Sequence, residues 1–97
     1  MVRRLSADPH VPLALFELRL EAARRPAVAE ALGAWRRRAF EADVASWASS
    51  GLPGDRPDLL VLHHAVDGMM LDHLTVPLDP ERSVDDAIEA LVDRLLP

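Results

Sequence analysis

The sequence contains no cysteine. Disulfides, thiolate nucleophiles and Cys-ligated zinc are therefore excluded. It also contains no lysine: all eleven basic residues are arginine, and sixteen acidic residues outweigh them to a formal net charge of −5. An acidic chain lacks the basic footprint of a nucleic-acid-binding domain, so no direct DNA contact is expected. No apolar run approaches the ~18–20 residues of a membrane span. No signal-peptide pattern opens the chain, and the expected compartment is the cytoplasm. Aromatic residues are scarce, limited to Phe16, Trp35, Phe40 and Trp47. None of Ser6, Ser46, Ser49, Ser50 and Ser83 sits in a G-x-S-x-G elbow. There is no phosphate-binding loop and no dinucleotide fingerprint. Nothing points to an enzyme or to a cofactor.

What is present is alanine, leucine and well-spaced proline. That mix favours helix over strand, and 97 residues make one domain with a modest core. Asp8-Pro9 reads as an N-cap followed by a first-turn proline, opening a helix to Arg25. Pro26 ends it and can open a second helix to Ser50, with Gly51 as its left-handed terminator and Gly33 as a possible kink. Asp55 caps a third helix reaching about Val76. Pro77 and Pro80 form a linker, and Ser83 caps a fourth helix to Leu96. The expected fold is all-α: an antiparallel bundle of about four to five helices.

The apolar faces differ among these helices. The first is apolar almost all round, with Leu13, Phe16 and Leu20 opposite Leu15 and Leu18, as expected of a central helix. The third carries an apolar arc of roughly 200° at ~100° per residue, about twice what an ordinary surface helix needs. Such an arc suits packing on two sides, against the chain's own core and against a second subunit.

The third helix contains HHAVDGMMLDH, residues 63 to 73. Its histidines do not converge: His63 and His64 point ~100° apart and His73 lies ~180° from His64. No metal site is expected from one straight helix. His63 and Asp67 form an i, i+4 pair that would satisfy both groups locally. Alternatively they meet a bound ligand in an apolar pocket. Met69 and Met70 read either as core filler or as lining of an adaptable pocket. Gly68 falls outside the apolar arc. In the second helix Arg36-Arg37-Arg38 reads as a solvated surface, with Arg37 spaced to pair with Glu41.

Taken in order, LALFELRLEAARRPAVAEALGAW, a helix ending in ASSGLP, LLVLHHAVDGMMLDHL and a short capped terminal helix resemble the C-terminal half of TetR-family transcriptional regulators. The resemblance covers roughly residues 8 to 96. It implies that residues 8–97 are a ligand-binding and dimerisation domain of a regulator, a repressor by expectation, that residues 1–7 are a linker remnant, and that DNA binding belongs to an absent N-terminal domain. It implies a homodimer in which helices 55–76 and 83–96 form a four-helix bundle with their counterparts, through Leu60, Asp67, Leu71, Leu74, Ile88, Leu91, Val92 and Leu95. It also implies a small apolar or amphipathic effector held by Phe16, Leu20, Trp35, Trp47, His63, Val66, Met69, Met70 and His73. The alternative is a stand-alone helical interaction module without a small ligand.

Overall fold

A computed structural model describes residues 9–96, which form α1 (His10–Ala22), α2 (Pro26–Ser50), α3 (Arg56–Leu74) and α4 (Val84–Leu95). No strand occurs among the described residues. The linker expected at 1–7 and the cap expected at Asp8 lie outside them.

The helix ends follow local chemistry. α1 stops at Ala22, three residues short of the expected end. The chain there tightens into turn-type bonds, the Arg24 amide donating to the Glu21 carbonyl at 2.9 Å. Pro26 then holds Arg25 in an extended conformation (φ −127°, ψ 103°). The Glu21 carboxylate takes the Arg24 guanidinium at 2.9 Å and lies 3.8 Å from that of Arg25. α2 opens on Pro26 and runs through Gly33 as one helix, so Gly33 does not divide it. Its intrahelical bonds outweigh the ~1 kcal/mol cost of one glycine. It ends where Gly51 turns left-handed at φ 76°.

α3 begins with a reciprocal cap: Asp55 accepts from the Asp58 amide while the Asp58 carboxylate accepts from that of Asp55. It ends at Leu74 rather than Val76. Pro77 has no N–H to continue the ladder, and the Asp72 carboxylate accepts from the Leu78 amide at 3.3 Å, turning the chain away. Ser83 caps α4 by accepting from the Asp86 amide at 3.1 Å. Asp85 and Asp86 occupy its first turn, where negative charge complements the helix dipole.

α1 packs on α2, α3 packs on α4, and α1 also touches α3, joining the two helical hairpins. α1 is thus the central helix in position, but Leu20, assigned to its buried surface, is 70% exposed. Among the described residues the buried apolar side chains are few: Pro12 of α1, Leu59 and Met70 of α3, and Val84 of α4. The radius of gyration is 14.5 Å, against about 12.5 Å for a close-packed chain of this length. An open space lies between α2 and α3, and α1 closes it on one side. The α2–α3 loop is pinned by Trp47, whose indole N–H donates to the Pro53 carbonyl at 2.8 Å. Gly54 lies against the end of α4 with φ +107°, and a Cβ there would sit 2.6 Å from Leu96 Cδ2.

Candidate functional site

The space between α1, α2 and α3 is a cavity of about 580 Å³, within the usual range for small-molecule sites. Pro12, Leu15 and Phe16 enter it from α1, Leu32, Trp35 and Phe40 from α2, and Leu60, Val66 and Met70 from α3. Phe40 meets His63 edge-on, with ring centroids 5.0 Å apart.

The polar groups on the wall are paired across helices. Asp67 Oδ2 accepts from Arg19 Nη1 of α1 and from Arg36 Nη2 of α2, both at 3.0 Å. Nearer the start of α3, Arg56 Nε donates to Glu41 Oε1 at 3.0 Å, and a second guanidinium nitrogen meets the same oxygen. That hydrogen bond and the carboxylate's charge raise the Arg56 pKa above its ordinary value. The Arg56 guanidinium also lies over Phe40, 5.2 Å from the ring centroid. His63 Nε2 is 3.3 Å from Asp43 Oδ2, an ion pair when the imidazole is protonated.

These pairings correct two expectations. His63 and Asp67 do not pair with each other. Two permanently charged guanidiniums outcompete an imidazole for Asp67, and His63 turns to Asp43. Arg37 does not pair with Glu41, because Arg56 takes that carboxylate in a two-nitrogen grip. All three arginines of the run are exposed, as expected, and Arg36 and Arg37 also line the cavity.

Of the residues assigned to ligand contact, the fold brings Phe16, Trp35, His63, Val66 and Met70 to the cavity. It does not bring Leu20, which points to solvent, or Trp47, which is engaged with Pro53 near the α2–α3 loop. Met69 and His73 line a separate space of about 180 Å³ between α3, the 77–82 linker and α4. The reason is angular: Met69 lies ~100° around α3 from Met70 and His73 ~120° from Asp67, away from the cavity side. Leu60 and Asp67, assigned to a subunit interface, line the cavity. On α3 Leu71 is 46% and Val61 50% exposed, and an added Cβ at Gly68 would meet open space. Leu74, Ile88, Leu91, Val92 and Leu95 are half-buried. The periodicity reading missed Leu15, Leu32, Arg19 and Arg56 as cavity residues. The signal for Arg19 and Arg36 was a lone carboxylate, Asp67, on an apolar arc.

Among the described residues no group of three His, Asp or Glu side chains is placed to hold a metal ion, and no helix is long and apolar enough to cross a membrane. A family model described as the tetracyclin repressor-like C-terminal domain matches residues 1–97. The chain belongs to that family. Tetracyclin repressor-like C-terminal domains are the effector-binding and dimerisation parts of transcription regulators, which are not enzymes. The four-helix order and the cavity are therefore those of a regulator's domain. No curated protein and no solved structure matches the chain.

Proposed function

We propose that this chain is the effector-sensing and dimerisation domain of a transcriptional repressor. The effector lies in the α1–α2–α3 cavity, and a second copy packs on the outer faces of α3 and α4. The regulator's DNA-reading element is assigned to a segment other than these helices, which carry a net acidic surface.

The observation that carries the reading is the junction at Asp67, where side chains of all three cavity helices meet on one wall. A ligand touching that junction binds differently to two relative placements of the helices, which is the condition for shifting a two-state equilibrium. The dimer reading is supported by how few apolar side chains the single chain buries, and by the exposed Val61 and Leu71 of α3. An interaction module without a ligand calls for a packed interior, and the cavity speaks against it.

The test is thermal denaturation against a panel of small amphipathic compounds, with Val66→Trp as the cavity-filling control. Binders are expected to raise the midpoint of the wild type and to lose that effect in the variant. No binder in the panel, or shifts that survive Val66→Trp, would overturn the cavity as effector site.

A further inference from the structure

We propose that the effector is an amphipathic oxyanion, its carboxylate- or phosphate-type head held by Arg19 and Arg36 and its apolar body lying along Leu15, Leu32 and Trp35. This rests on the reading of the cavity as an effector site and names the chemistry of its occupant.

The argument begins with the local charge. Four arginines and three carboxylates line the cavity, a formal surplus of one positive charge in a chain whose net charge is −5. The pairs divide that surplus unevenly. Arg56 is matched by Glu41 at one end, where Asp43 faces His63. At the other end two guanidiniums share one carboxylate, and share a single oxygen of it. Asp67 therefore cannot neutralise both.

Donor capacity points the same way. Each guanidinium has five N–H groups, and Arg19 and Arg36 each direct one at Asp67. On each guanidinium the remaining donors lie in its own plane, in the fork geometry that suits an oxyanion. The junction is reachable, since the side chains of Arg19 and Asp67 are each 36% exposed. A cation finds no comparable place on this wall, because each carboxylate there already faces a basic side chain.

The apolar body follows from the rest of the lining. Trp35 is 52% exposed and Leu15 37%, both turned into an open space rather than packed. An alkyl or aryl group seated there removes their surface from water. Head and body together bridge α1, α2 and α3, so binding reports directly on their placement.

The experiment uses four ten-carbon probes below their micelle thresholds: decanoate, decyl phosphate, 1-decanol and decyltrimethylammonium. Affinities are read by calorimetry on the wild type, Asp67→Asn and the double variant Arg19→Met/Arg36→Met, each checked by circular dichroism. At least one anionic probe is expected to bind about tenfold or more tightly than 1-decanol, as a charge-assisted pair requires. The choice between decanoate and decyl phosphate identifies the head. The double variant is expected to lower anion affinity to that of 1-decanol while keeping 1-decanol binding. Asp67→Asn is expected to strengthen anion binding and leave 1-decanol unchanged, because it removes the competing carboxylate. Equal binding of 1-decanol and both anions, preference for the cation, or anion binding that survives the double variant would overturn the oxyanion assignment and leave the cavity intact as an effector site. If none of the four binds, the effector reading of the cavity falls with it.

Discussion

The Phe40 ring of α2 stands edge-on to the His63 imidazole of α3, with centroids 5.0 Å apart and planes at 89°. The direct packing joins α1 to α2, α3 to α4 and α1 to α3, so α2 and α3 meet chiefly through side chains across the cavity. This ring pair is therefore a principal apolar tie across the opening. Phe40→Ala is expected to destabilise the protein by about 2 kcal/mol, combining partial loss of a large side chain with the edge-to-face term. Urea denaturation measures it, and a loss below about 0.5 kcal/mol would show that the tie is immaterial.

The four glycines are not equivalent, and two of them give opposite predictions. Gly54→Ala forces a Cβ into Leu96 at a left-handed backbone position, and a cost of roughly 1–3 kcal/mol is expected. Gly68→Ala places a methyl in open space on a regular helix, and a gain of roughly 0.5–1 kcal/mol is expected. Thermal midpoints of the two variants, measured side by side, should move in opposite directions. A loss at Gly68 would place another surface against that side of α3.

If the outer face of α3 meets a second copy, a charge there should separate the copies. Leu71→Arg is expected to convert a dimer to a monomer at micromolar concentration without loss of helicity. Light scattering gives the mass directly. A monomeric wild type would refute the dimer, and a dimeric Leu71→Arg would move the interface elsewhere.

The two tryptophans provide a built-in reporter. Trp35 lines the cavity while Trp47 is hydrogen-bonded to Pro53 near the α2–α3 loop. Cavity binding of decanoate should change the emission of a Trp47→Phe protein and leave a Trp35→Phe protein unchanged. The reverse pattern would relocate the site toward the loop.

Much of the fold was legible before any coordinates. Pro26, Gly51, Asp55 and Ser83 each act on their own neighbours through a missing N–H, a left-handed turn or a capping oxygen, and each sits at the helix end expected of it. The third helix ended earlier than read because Asp72 captures the Leu78 amide, a bond to a residue beyond the helix. The site was legible only in part. Phe16, Trp35, Val66 and Met70 reached the cavity because they stood on apolar stripes facing the chain's own interior. Leu20 shares the stripe of Phe16 yet is exposed near the end of α1, Trp47 lies near the α2–α3 loop, and Met69 and His73 turn toward the 77–82 linker and α4.

The sequence by itself determined what short-range chemistry controls: the four helices of the described residues, their caps and breaks, the absence of thiol chemistry, and the width of the apolar arc on α3. These depend on residues within a few positions of one another, at a periodicity the chain carries with it. The tertiary structure alone decided which partners the charges take. Asp67 has His63 one turn away, yet accepts from Arg19 and Arg36, 48 and 31 positions distant. Helical spacing shows which side chains share a face. It does not show which long, flexible arginines from other helices reach a carboxylate there, and at this site those arginines set the charge that a ligand meets.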